Sequence, residues 1–293
     1  MSTPRLFVFG YGYSAAVLAT RLRAEGWRIA GTTRSPDKCQ ALAAAGIEAF
    51  LFDRDRPLDD PAAALDGTTH LLLSVPPDGR GDPVLAHHAQ HLADLRTLDW
   101  GGYLSTTGVY GDTKGEWVGE AAWLRPTGDR ARRRVEAERG WLGLHRQYGV
   151  PLHLFRLPGI YGPGRSAIDS LRDGTARRID KPGQVFSRVH VEDIAGALTA
   201  SMARPNLGAI YNVADDLPCP SHEVVAYAAG LLGVEPPPLV PFEQAELSPM
   251  AASFYADNRR VKNDRIKREL GYALRHPDYR SGLDAQMAAE RAA

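Results

Sequence analysis

The chain has 293 residues, 44% of them hydrophobic and 24% charged, so it can build a packed core. Its 35 Lys+Arg balance 35 Asp+Glu, which argues against a general nucleic-acid binder or a polybasic membrane anchor. Cys39 and Cys219 are the two cysteines, too few for a disulfide framework or a Cys-rich zinc module, and no apolar run approaches the roughly 18 residues a membrane span needs.

The chain begins MSTPRLFVFG and enters a strand-like run at once. It shows no charged leader, apolar stretch and cleavage site, so a soluble cytoplasmic protein is expected. Residues 5–9 (RLFVF) predict a first strand, followed by a glycine-rich turn and a helical period over 17–25. Strands are predicted at 28–32, 48–52 and 70–74, with a fifth ending at 103–105 and a sixth at 152–156. Helices are predicted at 37–45 and 85–95, and a long Arg/Glu-rich one at 129–148. Continuous apolar strands alternating with helices imply an α/β fold, a doubly wound parallel sheet covered on both faces.

After residue 156 the pattern loosens. GIYGPGRS is rich in turn formers. Short strands are predicted at 189–191 and 209–213, and helices at 192–203, 221–232 (with Ser221 as N-cap), 263–270 and 277–292. The run PPPLVP (236–241) reads as extended, neither helical nor central in a sheet. The expected division is a dinucleotide-binding domain over 1–164, with 186–215 returning to it. A smaller, discontinuous substrate lobe takes 165–185 and 216–293.

Gly10-Tyr11-Gly12-Tyr13-Ser14-Ala15 fits G-x-G-x-x-G/A at the first strand–helix junction. There the first Gly permits a tight turn, the second lets the backbone approach a pyrophosphate, and a small third residue lets helix and strand pack. Helix N–H groups then face the phosphates. The bland alternative is a glycine-rich turn. At the end of strand two, where an NAD-selective site tends to carry an acidic residue, the chain has Gly31-Thr32-Thr33-Arg34-Ser35. Arg34 can pair with a 2′-phosphate, helped by the Thr33 and Ser35 hydroxyls, or be a solvated loop arginine. NADP(H) is therefore the preferred cofactor, with NAD(H) as the other option. Asp53 can meet the adenine amino group or serve as a strand-end turn residue.

Three further segments resemble the extended short-chain dehydrogenase/reductase family, and its atypical, NAD-dependent epimerase/dehydratase-like members in particular. They are Ser105-Thr106-Thr107-Gly108-Val109-Tyr110-Gly111, Arg156-Leu157-Pro158-Gly159-Ile160-Tyr161-Gly162-Pro163-Gly164 and Arg188-Val189-His190-Val191-Glu192-Asp193-Ile194-Ala195. With the glycine loop they stand in family order. The resemblance implies that the Thr106 hydroxyl polarises a substrate carbonyl or hydroxyl. It implies that Leu157, Pro158 and their neighbours approach the nicotinamide, and that Ser74, Val75, Pro76 and Pro77 line the diphosphate and nicotinamide ribose. It also implies a homodimer.

The chain departs from the family at one pair. The Tyr and Lys that the family places four residues apart fall on Arg130 and Arg134, and no Tyr-x-x-x-Lys occurs. Arginine cannot be deprotonated near neutral pH, so Arg130 cannot be the acid/base. Arg134 can still contact ribose or phosphate as a fixed cation. Candidate substitutes are Tyr110, Tyr161 and His190; packing is the competing reading for both tyrosines, and a structural hydrogen bond for His190. Arg165, Arg188 and His190 are candidate contacts for a polar or phosphorylated substrate, against an exposed or salt-bridged role.

Other constellations carry less. His87 and His91 lie one helical turn apart, but the metalloprotease Glu is missing after the first His and no third ligand is near; a solvated helix face is expected and no metal. The run Arg130–Arg134 is expected to be an exposed helix with Glu136 and Glu138 as i,i+4 partners of Arg132 and Arg134. No G-x-S-x-G and no G-x-x-x-x-G-K-S/T occurs. Two functions remain: an atypical NADP(H)-dependent oxidoreductase or epimerase/dehydratase acting on a carbonyl/hydroxyl small molecule such as a nucleotide sugar, or a non-catalytic NADP(H)-binding redox sensor.

Overall fold

The computed structural model describes residues 3–292, Met250 by its backbone alone. Its main sheet has seven strands: β1 (Arg5–Phe9), β2 (Arg28–Thr33), β3 (Glu48–Leu51), β4 (His70–Leu73), β5 (Trp100–Thr106), β6 (Leu152–Leu157) and β7 (Ile210–Asn212), in the order β3-β2-β1-β4-β5-β6-β7. The pairs β1–β2, β1–β4, β2–β3 and β4–β5 are parallel. β1 is buried along its whole length, which is why RLFVF does not alternate. Its one charge, Arg5, reaches Glu48 at 2.7 Å and the Thr68 hydroxyl at 2.7 Å.

Three helices on this sheet start alike. Ser35, Asp60 and Asp82 each cap a helix through a side-chain oxygen, and each is followed by proline at the first helical position. Proline has no N–H to satisfy there, and the cap meets a neighbouring orphan donor. The helix Pro61–Leu65 escapes sequence reading because it is a single turn and a half. The helix Asp129–Tyr148 has the predicted bounds. No helix of the described residues is long and apolar enough to cross a membrane.

The described residues form two compact units: residues 3–106, 129–156 and 195–211, and residues 107–128, 157–194 and 212–292. Segments 107–128, 157–164, 186–194 and 212–215 therefore group with the second unit, unlike the sequence boundaries. The reason is pairing. Trp117–Val118 pairs with Arg260–Val261, and Gly159–Tyr161 with Arg188–His190. GIYGPG thus contains a strand rather than turn alone. A third short pair joins Arg178–Asp180 to Leu239–Pro241, which places PPPLVP in a two-stranded ribbon. The core of this unit gathers Tyr161, Ile168, Cys219, Val224, Ala228, Tyr279 and Leu283. The helix Ser221–Leu232 is capped by Pro220 without a side-chain bond; Ser221 instead pairs its hydroxyl with Tyr255 Oη at 3.0 Å.

Candidate functional site

Gly10 has φ +85°, and a Cβ there would sit 3.0–3.2 Å from Val75 and Ser74. Only glycine fits without strain. The turn is tied to β2 by Gly10 N–H to Thr32 Oγ1 and Tyr11 N–H to Thr32 O, both 2.8 Å. Gly12 is different: a Cβ there would meet nothing closer than Gly10 O at 3.9 Å. It caps the helix Tyr13–Ala24 without a side-chain bond. A glycine N-cap offers no side-chain oxygen of its own to the first turn, and a helix start of this kind favours an anion. Ser14 and Ala15 are buried, packing helix on strand.

Gly10 and Gly12 open a cleft of about 780 Å³ within the first unit, at the carboxyl ends of β1–β4. Of the sequence candidates, Arg34, Asp53, Ser74, Val75 and Pro76 line it too, as do Thr33, Ser35 and Pro77. Tyr13, Ser14, Ala15, Arg134 and Pro158 are not among its lining residues. Lys38 lines it and was missed; it stands four residues after Arg34, and its Nζ donates to Tyr11 O at 2.6 Å. Asp53 is engaged in its own turn: Oδ2 accepts from Arg56 Nη2 at 2.9 Å and Oδ1 from Asp55 N–H at 3.0 Å. These bonds are those of a strand-end turn residue, and Asp53 lines the cleft as well.

Thr106 ends β5 and is half-buried. Its neighbour Ser105 donates to Glu138 Oε1 at 2.6 Å, and Glu138 also accepts from Arg156 Nε at 3.0 Å and Nη2 at 2.7 Å. Glu138 is thus no surface partner of Arg134. Arg134 Nη1 donates to Leu104 O at 2.7 Å and Tyr103 Oη at 3.1 Å, so this cation braces β5. Arg130 is exposed. His91 is exposed, as a solvated helix face expects, but His87 and His88 are anchors: His87 Nε2 meets Arg54 O at 2.7 Å, and buried His88 Nε2 accepts from Leu58 N–H at 3.3 Å.

The remaining candidates lie in the second unit. Tyr110 is buried and donates to Asn212 Oδ1 at 2.7 Å. Tyr161 donates to Asp278 O at 3.1 Å and stands edge-on to His190. Burial, with Asp215 nearby, pushes the Tyr161 hydroxyl far above the usual phenol range. Tyr110, by its burial and hydrogen bond, has the geometry of a packing residue, and so does Tyr161, whose raised pKa is unsuited to a proton donor and acceptor working near neutral pH. Arg188 Nη1 donates to Phe186 O at 2.9 Å and Cys219 O at 3.2 Å, an internal brace. Arg165 is exposed. Burial drives the His190 imidazole down to about 4, and its Nδ1 accepts from Glu192 N–H at 3.3 Å. Donor atoms of His190, Glu192 and His276 lie within 4.8 Å of one another. Glu192 there already accepts from His276 Nε2 and pairs with Arg275, each at 3.2 Å. A second cleft of about 320 Å³ is lined by Arg177, Arg178, Ile179, Pro237 and Val240 among others.

Comparison with known proteins agrees with this architecture. Residues 7–214 match the sequence profile of the NAD dependent epimerase/dehydratase family. Over 287 residues the chain is 30% identical to Protein YeeZ of Escherichia coli strain K12, covering 94% of this chain and 97% of that one. The structure is similar to that of a functionally unknown conserved protein from Silicibacter pomeroyi, at 52% identity and TM-score 0.89, with 98% and 99% of the two chains covered. It shares its fold with UDP-glucuronic acid 4-epimerase from Bacillus cereus, solved with UDP-glucuronic acid and NAD, at 15% identity and TM-score 0.77 over 98% and 99% of the chains. On the profile match and the near full-length relative, this chain belongs to the NAD dependent epimerase/dehydratase family.

Proposed function

We propose that the protein is an atypical NADP(H)-dependent oxidoreductase or epimerase/dehydratase that acts on a carbonyl or hydroxyl group of a small molecule, nucleotide sugars being one candidate class. The observation that carries this reading is the cleft over Gly10 and Gly12 with Arg34, Ser35 and Lys38 on its wall. The residues fit a phosphorylated dinucleotide. Gly12 leaves backbone open where a side chain would intrude, and a helix that starts on a glycine N-cap beside the cleft suits a diphosphate. At the end of β2 the wall carries two cations and no carboxylate, which suits a 2′-phosphate better than a bare 2′-hydroxyl. NAD(H) fits the same cleft with fewer contacts.

A bound nicotinamide supplies a hydride donor or acceptor. The chain's own part is to place the substrate oxygen. Thr106 is the group we assign to that task, held at a strand end that the buried Glu138–Arg156 pair makes rigid. Arg130 and Arg134 cannot move a proton near neutral pH. Proton transfer then falls to water or to a substrate group, and the loss relative to a positioned acid/base is about 10²–10⁴ in rate.

The replacement of Tyr and Lys by Arg130 and Arg134 favours a second reading, a non-catalytic NADP(H)-binding sensor. NADPH oxidation over a panel of carbonyl compounds and nucleotide sugars separates the two. The enzyme reading expects turnover that falls far more than NADPH affinity in Thr106→Val. Equal loss of both would remove Thr106 from the chemistry, and tight binding with no turnover anywhere on the panel supports the sensor.

A further inference from the structure

We propose that Arg54, clamped by Asp78, is the surface on which the adenine ring of the dinucleotide rests. The proposal builds on the dinucleotide reading above. Arg54 follows β3 and Asp78 follows β4, strands separated in the sheet by β2 and β1. Each lies in a short turn closed by a backbone bridge, 53 to 56 and 78 to 81. The two turns are joined by ion pairs running in opposite directions. Arg54 donates from Nε and Nη2 to the two Asp78 oxygens at 2.8 and 2.9 Å, and Arg80 donates from the second turn to Asp55 of the first at 2.6 Å. Arg54, Asp55 and Asp78 all line the cleft.

The bonds of Arg54 decide which part of it a ligand meets. Nη2 also donates to Gly81 O at 2.5 Å, and the Arg54 carbonyl is held by His87 at 2.7 Å. Guanidinium donors point in the plane of the group. Asp78 and Gly81 therefore take one edge of that plane, and Nη1 makes no hydrogen bond among the described residues. The parts of this cleft-lining group that those bonds leave unused are its flat cationic face and the Nη1 edge. The side chain is 13% exposed, so it is fixed in place and largely dry. Phe52 and Val75 supply apolar surface in the same cleft. A fixed planar cation beside apolar walls suits a flat, electron-rich ring. Adenine is that ring in the proposed ligand, on the ribose whose phosphate Arg34 and Lys38 would hold. Asp53, the residue before Arg54, is engaged in its own turn.

The test measures affinity of the full chain for NADPH, for adenosine 2′,5′-bisphosphate and for reduced nicotinamide mononucleotide, which has no adenine. Arg54→Ala is expected to weaken the first two about tenfold and leave the third unchanged. Arg54→Lys keeps a positive partner for Asp78 but loses the flat face. It is expected to show the same pattern with little change in melting temperature, and it stands in if Arg54→Ala does not fold. NADPH affinity within about twofold of wild type in the variant that folds overturns the proposal, as does equal loss for the mononucleotide. Wild-type protein that takes up neither NADPH nor the bisphosphate overturns the dinucleotide reading itself, and is seen before any variant is made.

Discussion

Glu138 Oε2 lies 2.7 Å from Arg156 Nη2, and the two side chains are 2% and 3% exposed. The pair links the long helix to β6, and through Ser105 it holds the end of β5 beside Thr106. Both charges are almost fully removed from water, so removing one leaves the other buried and unpaired. Glu138→Ala is expected to cost about 3–5 kcal/mol of stability, measured by urea unfolding. Replacing both residues with apolar ones of similar size should cost less than the single change. A single variant within about 1 kcal/mol of wild type would mean that water reaches the pair.

This pair shows where sequence reading stops. β1, the helix Asp129–Tyr148 and the glycine turn are legible because their signals are local: an unbroken apolar run, a helical period, a motif at a strand end. Glu138 looks like an exposed partner of Arg134 because spacing along a helix is all the sequence shows. Only the end of β5 is legible, at 103–105; the strand starts at Trp100 and runs through Gly101 and Gly102. In the fold a Cβ at Gly102 would lie 2.3 Å from the Trp100 ring, so the glycine makes room for a buried tryptophan. Lys38 could have been found, four residues after Arg34 across a Ser-Pro helix start. The Arg54–Asp78 bond could not, since 24 residues and two intervening strands separate the partners.

Gly10 and Gly12 should respond differently to substitution. Gly10→Ala forces a side chain into φ +85° and against Val75, so folding and NADPH binding should both suffer. Gly12→Val adds bulk where the protein has open space. Its melting temperature is expected to stay near wild type while NADPH affinity falls at least about tenfold. Unchanged affinity in Gly12→Val would place the diphosphate elsewhere.

The cofactor preference turns on the wall after β2. Arg34→Ala and Lys38→Ala are each expected to weaken NADPH binding by about tenfold or more and to change NADH binding little. Lys38 also holds Tyr11 O at 2.6 Å, so its removal should loosen the glycine turn slightly for both cofactors. Titrations of the two variants with both dinucleotides check this. A wild-type protein that binds NADH as tightly as NADPH, with Arg34→Ala unchanged, would assign Arg34 to solvent.

Asp215 sets a pH dependence of opposite sign to that of most carboxylates. It is 2% exposed, and burial pushes its carboxyl up to about 8, with the Arg188 charge acting against the shift. Unfolded, an aspartate releases its proton near about 3.9. Between these values the native state holds a proton that the unfolded state has lost, so this group makes stability fall as pH rises from about 4 to about 8. Asp215→Asn removes the titration. The variant should therefore gain on wild type progressively across that window and level off above it. Buried His88, His153 and His190, each held down to about 4, work in the other direction as pH falls below their unfolded value. They are common to both proteins, so the difference in urea unfolding free energy at matched pH isolates Asp215. A difference that does not change with pH would mean that Asp215 is ionised in the folded protein, stabilised by Arg188.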